Sequence, residues 1–171
     1  GLGDGAVTIN YHYTGGFAAT PEAQAMAASW YNDGIEVIFA CGGAVGNSVM
    51  AAAEQADKKV IGVDVDQSGE SATVITSAMK GLGVSVYDCI RDFYDDKFPG
   101  GQSLVFSAKN QGVELAMDTA KFTKFTQADY DAIYAKLASD SITIAGNADS
   151  SNTPIELGGL PVTVATVTEI N

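Results

Sequence analysis

The chain has 171 residues, 46% hydrophobic and 18% charged, with 21 acidic against 9 basic side chains and a formal net charge of −12. Hydrophobic runs punctuated by 19 glycines are enough to build a core and exclude intrinsic disorder, in a length that fits one ordinary domain or one half of something larger. So large an acidic excess, with no stripe of Lys or Arg, excludes nucleic acid as a partner and disfavours an anionic membrane surface, since phosphate would be repelled.

In chain order, short β-branched runs alternate with amphipathic stretches, the pattern of a parallel sheet with crossover helices. Ala6 to Tyr13 predicts a strand. After Thr14-Gly15-Gly16 and the break at Thr20-Pro21, the spacing of Ala23, Met26, Ala27 and Trp30 predicts a helix with proline in its first turn and Asn32-Asp33-Gly34 as its stop. Glu36 to Ala40 predicts a buried strand, followed by a glycine turn and a helix carrying Val45, Val49, Ala52 and Ala56; Lys59 to Val65 predicts a third strand. The first 66 residues are therefore expected to be β-α-β-α-β. Beyond them the pattern predicts a strand over Ala72 to Thr76 and a long helix from about Ala78 to Tyr94, with Leu82, Val86, Ile90 and Phe93 on one face. A hairpin of Leu104 to Ser107 against Val113 to Ala116, with Asn110-Gln111-Gly112 near its turn, is expected next. A helix over 127–138, capped by Thr126, a turn-rich stretch over Asn147 to Gly159 and a closing strand over Val162 to Val167 complete the reading. The elements after residue 72 do not obviously belong to the same compact sheet.

Few residues carry chemistry. Gly42, Gly43 and Gly46 lie between a strand and a helix N-terminus, where backbone N–H groups and the helix dipole favour an oxygen-rich ligand and glycine lets a flat one come close; a plain tight turn explains them equally well. Their spacing is neither a dinucleotide fingerprint nor a P-loop. Gly1 to Ala6 imitates the fingerprint, but its strand follows instead of preceding. Asp64 and Asp66 stand at the carboxyl end of a strand, the edge where open α/β sheets bind ligands, and a carboxylate there suits a vicinal diol such as that of ribose. Alternation along a strand keeps the two from facing one site, so Asp66 is expected to be a turn or cap residue. Phe39, ahead of the glycine turn, and Phe17, after Thr14-Gly15-Gly16, could sandwich a flat heterocycle; taken singly, each fits a core position. Lys80, expected to begin the long helix, could bind a ligand hydroxyl or pair with an acid. His12, the lone histidine, is expected to be a packed strand residue, and Cys41 and Cys89, without metal-site spacing, small core residues. The chain has no nucleophile elbow, zinc-protease or calcium-loop motif, which argues for binding without chemistry, with no metal or cofactor.

Residues 36 to 67, EVIFACGGAVGNSVMAAAEQADKKVIGVDVDQ, and 74 to 101, VITSAMKGLGVSVYDCIRDFYDDKFPGG, resemble the basic membrane lipoprotein family, as do NYHYTGGFAATPEAQAMAASWYNDG and KNQGVELA. The GVDxDQ element with TSxxK downstream is the specific part. The resemblance implies an α/β type I periplasmic-binding-protein fold, two lobes and a hinge, of which this chain matches the C-terminal half. Residues 1–75 would be most of the second lobe, 76–160 would complete the first, and 161–171 would be a closing strand near the hinge.

It also implies a solute-binding lipoprotein of an ABC importer, lipid-anchored outside the cell membrane, that holds a purine nucleoside between its lobes and delivers it to a permease. Phe39 would stack on the base with Gly43 beside it, Asp64 would hold the ribose hydroxyls and Lys80 would reach the ligand. Alternatives are a cytoplasmic ligand-sensing regulator of the same fold, or a sugar or other small metabolite as ligand. The start at Gly1 and not at methionine suggests that a preceding segment, with any targeting signal, has been removed. No run approaches the ~20 apolar residues of a membrane span. Half a fold is expected to expose apolar surface where the missing half packs, and to self-associate or retain that half.

Overall fold

The computed structural model describes residues 3–142, 144 and 164–170. Its elements are β1 (Val7–Tyr11), α1 (Pro21–Asn32), β2 (Val37–Phe39), α2 (Val45–Ala56), β3 (Lys59–Asp64), β4 (Val74–Lys80), α3 (Leu82–Tyr94), β5 (Val113–Leu115), α4 (Gln127–Ala138) and β6 (Ala165–Glu169). They fall into two compact units, residues 1–15 with 143–171 and residues 16–142.

In the smaller unit β1 and β6 pair in parallel, Val7 opposite Ala165 through Tyr11 opposite Glu169. The Tyr11 hydroxyl donates to Glu169 Oε2 at 2.7 Å. His12 lies just past the strand it was expected to sit in and is half-buried; its Nδ1 lies 2.6 Å from the Ile170 carbonyl oxygen, so the ring donates there. The turn-rich stretch at 147–159 and the start of the closing strand at 162–163 lie outside the described residues.

The larger unit carries a sheet in the order β2-β3-β4-β5, parallel except for β5. The predicted β-α-β-α-β order holds, but β1 pairs with β6 and not with β2 or β3. Helix α1 starts where the sequence says: Thr20 accepts from the Ala23 N–H at 3.1 Å and Pro21 fills the first helical position, which has no need of an N–H donor. Helix α2 buries Val45, Val49, Met50, Ala52 and Ala53, which pack with Ala23, Ala27 and Tyr31 of α1 and with Ile38, Val60 and Val74 of the sheet. Small alanines on both helices let the backbones come close, and Ser48 Oγ both accepts from the Thr20 N–H and donates to the Thr20 carbonyl, each at 3.0 Å. Tyr31, 3% exposed, donates its hydroxyl to the Lys59 carbonyl at 3.0 Å, and burial raises its pKa above the ordinary tyrosine value.

Four expectations need correction, three of them after residue 72. The fourth strand runs Val74–Lys80 rather than ending at Thr76, and α3 begins at Leu82 rather than Ala78. Ala78, Met79 and Lys80 favour helix by propensity, but the end of β3 pairs with them on one side, Gly62 to Asp64 opposite Ser77 to Met79, and β5 on the other; tertiary pairing overrides weak local preference. Leu104 to Ser107 form no strand: Ser107 instead caps a 3-10 turn over Ala108–Asn110, and the antiparallel partner of β5 is β4. The two cysteines are not core residues, Cys41 being exposed and Cys89 half-buried.

Helix α4 is capped as predicted, Thr126 and Asp129 forming a reciprocal box. It covers the outer edge of β5: the Tyr134 hydroxyl donates to the Val113 carbonyl at 3.1 Å, and Tyr130 accepts from the Leu115 N–H at 3.4 Å. An exposed strand edge is thereby paired with side chains. Helix α3 buries none of its residues. Among the described residues no helix is long and apolar enough to cross a membrane.

Candidate functional site

Because β2, β3 and β4 are parallel, their carboxyl ends share one edge of the sheet, and three of the residues singled out above end those strands: Phe39, Asp64 and Lys80. The structure joins two of them directly. Lys80 Nζ stands 2.6 Å from Asp64 Oδ1, with 65% and 47% of the side chains exposed, a geometry possible because Lys80 ends a strand beside Asp64 and does not begin a helix. Asp64 adopts a left-handed backbone, φ +69°, which turns the chain at the end of β3. With Val65, Asp66, Leu82 and Glu114 the pair lines an open cleft of about 340 Å³.

Phe39 is 52% exposed and Phe17 77% exposed, so neither takes the core position that fits it singly. Their rings are not stacked on one another. Phe17 lies instead against the glycine turn: a Cβ built on Gly43 would sit 3.6 Å from Phe17 Cβ and 3.8 Å from its ring. Space would admit that atom, but Gly43 has φ +58°, so it is the backbone that requires glycine. Partial burial, with the charge of Asp64 adding to it, raises the Cys41 thiol pKa above its ordinary value.

The start of α2 differs from expectation. The N–H groups of Val45, Gly46 and Asn47 donate to the carbonyls of Gly42, Gly43 and Ala44 at 3.0–3.2 Å. These donors, which the sequence left for an oxygen-rich ligand, are used within the turn.

Asp66 is the turn residue expected of it. Its carboxylate accepts from the Ser68 N–H at 2.9 Å and from Thr119 Oγ1 at 2.9 Å, and these donors hold its pKa below the usual aspartate value. Sequence reasoning passed over Glu114, which pairs with Met79 across β4 and β5 and enters the cleft beside Lys80. Its signal was present in the KNQGVELA run but needed the pairing of β5 with β4 to be read. Among the described residues no group of three or more His, Cys, Asp or Glu side chains is placed to hold a metal ion.

The sheet is of the α/β kind, parallel over β2, β3 and β4, and comparison with known proteins gives the family. The family model Bmp, described as ABC transporter substrate-binding protein PnrA-like, matches residues 4–147, and the chain belongs to that family. It is 33% identical over 132 residues to the ABC transporter nucleoside-binding protein BmpA of Lactococcus lactis, an alignment covering 67% of this chain and 38% of that protein. Among solved structures it resembles an ABC transporter solute-binding protein from Aeropyrum pernix, with TM-score 0.61, 20% identity, and coverage of 81% of this chain and 48% of that one. A transcriptional activator of the comK gene from Bacillus halodurans has TM-score 0.60 at 17% identity, covering 84% and 47%. At these identities the two structures show the fold alone. The chain spans between about two fifths and one half of the length of these relatives.

Proposed function

We propose that the full-length protein is a lipid-anchored, extracytoplasmic solute-binding protein of an ABC importer that closes two lobes on a purine nucleoside and presents it to a permease. This chain supplies one wall of the site. The observation that carries the reading is the Asp64–Lys80 pair at the same carboxyl edge of the sheet as exposed Phe39, in a chain similar to a protein named for nucleoside binding.

Each residue has a role that its chemistry suits. Phe39 offers a solvent-facing ring on which a purine stacks, worth about 1–3 kcal/mol per base. Lys80 meets Asp64 at Oδ1, and the lone pairs of a carboxylate leave acceptor capacity for a vicinal diol while the ammonium donates to the ligand. Gly43 brings bare backbone alongside Phe17, giving the base a second surface to approach.

The other wall belongs to the rest of the protein. Helix α3 exposes Val86, Ile90, Phe93 and Tyr94 by 53–80%, an apolar face too large to leave in water. Polypeptide corresponding to the further length of the relatives is the occupant we propose for it, which would make α3 a crossover into the other lobe.

Calorimetric titration of the full-length protein with inosine, guanosine, adenosine and ribose, beside Asp64→Ala and Phe39→Ala variants, tests the ligand. Tight binding of a purine nucleoside, weakened at least tenfold in each variant, is expected. Binding of a sugar or another metabolite with no response to nucleosides would overturn the ligand while leaving the family unchanged.

A further inference from the structure

The conformation of Asp64 needs an explanation, because a non-glycine residue at φ +69° is strained unless its surroundings impose it. The Val65 N–H closes back on the Val63 carbonyl at 2.8 Å across Asp64, the i to i+2 bond of a γ-turn, and with positive φ at its centre this is the rarer, strained hand. Something must hold the chain there. Gln67 does so by side-chain contact: its Oε1 accepts from the Val63 N–H at 2.8 Å, spanning the turn from its far side. Its own N–H donates to Ser77 Oγ at 3.0 Å, and Ser77 is fully buried on β4, three residues before Lys80. The two carboxylate oxygens of Glu70, each 3.3 Å from Gln67 Nε2, orient the amide with its oxygen towards Val63. Gly62 completes the cluster, since a Cβ there would lie 2.6 Å from Ser77 Oγ and 2.8 Å from Gln67 Oε1; only glycine leaves room for both.

We infer that Gln67, anchored by Ser77 and seated against Gly62, is a positioning residue that holds Asp64 in the left-handed turn from which its carboxylate meets Lys80 and the ligand. The ligand part rests on the nucleoside reading above; the conformational part does not. Gln67 reaches Asp64 through the backbone of Val63, the residue before it, so its effect on binding should pass through Asp64.

The test uses the full-length protein carrying Gln67→Leu, which removes the acceptor at similar size, and the exchanged pair Gln67→Glu with Glu70→Gln, which restores an acceptor for Val63 and a donor to orient it. The first readout needs no ligand. In Gln67→Leu the three-bond HN–Hα coupling of Asp64 should move to the value of extended backbone and the Val63 amide should exchange at least tenfold faster, both reverting in the exchanged pair. The second readout is the affinity ratio between a purine ribonucleoside and its 2′,3′-dideoxy counterpart. Gln67→Leu should reduce that ratio to the value of Asp64→Ala, leave dideoxynucleoside binding within twofold, and lose nothing further when combined with Asp64→Ala. A wild-type coupling and exchange rate in Gln67→Leu would overturn the inference whatever the ligand, whereas a wild-type protein blind to nucleosides would overturn the functional reading and leave the first readout to decide this one. If Gln67→Leu does not fold, Gln67→Asn, one methylene too short to reach Val63, replaces it with the same readouts.

Discussion

Asp66 shows how two carboxylates two residues apart come to play different parts. Donors from Ser68 and Thr119 converge on it, stabilising the charged form and lowering its pKa, whereas Asp64 pairs with Lys80. A carboxylate with a depressed folded pKa contributes stability above its unfolded pKa and loses that contribution as pH falls through the folded value. The link from the 66–68 turn to Thr119 should therefore persist through the ordinary aspartate range and loosen only at more acid pH. An NMR titration of the Asp66 carboxyl should give a midpoint below that of an unstructured aspartate, and Thr119→Val should move it upwards; an unchanged midpoint would assign the shift to Ser68 alone. Tyr31 offers a second check, on stability. Its buried hydroxyl satisfies the Lys59 carbonyl, so Tyr31→Phe should cost about 1 kcal/mol in denaturant unfolding, while a neutral result would mean that water reaches that carbonyl.

Among the elements, the join between β4 and α3 is the most constrained. The Gly81 N–H donates to the Gly112 carbonyl at 2.9 Å, and a Cβ on Gly81 would fall 2.1 Å from the Gln111 carbonyl oxygen. That oxygen is backbone, in a turn fixed by the Ser107–Asn110 capping box and by Gln111 at φ +57°, so it cannot yield as a side-chain tip would. Gly81→Ala should destabilise the protein by about 3 kcal/mol and, by displacing the end of β4, weaken the Asp64–Lys80 pair; thermal unfolding beside a ligand titration would show both losses together. This join is also where reading the sequence failed. Helices α1 and α4 were legible because their start signals, Thr20-Pro21 and Thr126, act within the first turn. The second half of β4 was not, because Ala78, Met79 and Lys80 become strand only through β3 and β5, and β5 chose β4 as its partner across more than thirty intervening residues. The site divided along the same line. Phe39 and Asp64 were visible at the ends of β-branched runs, Lys80 was singled out as able to pair with an acid but placed on the wrong element, and Glu114 and the support of Gln67 by Ser77 depend on a register that no local pattern encodes.

For the molecule as a whole, surface charge and apolar surface act against each other. A net charge of −12 makes copies of the chain repel, yet α3 presents Ile90, Phe93 and Tyr94 to solvent at 53%, 63% and 80% exposure, continued by Phe98 after the helix and grouped with Cys89 around a cavity of about 440 Å³. Repulsion between exposed charges is screened over about 10 Å at 0.1 M salt, whereas burial of apolar surface strengthens slightly with salt. The 171-residue chain prepared alone should accordingly bind a hydrophobic dye and associate increasingly as salt is raised. If α3 packs against further polypeptide in the full-length protein, one substitution should act in opposite directions in the two contexts. Ile90→Glu with Phe93→Glu should render the isolated chain more monomeric and less dye-binding by light scattering and fluorescence, and should destabilise the full-length protein by at least about 3 kcal/mol, the cost of deleting a buried aromatic with two charges added to its site. An isolated chain that stays monomeric at high salt, or a full-length protein indifferent to both glutamates, would mean that the face remains in water in both contexts, and the crossover role proposed for α3 would fall with it.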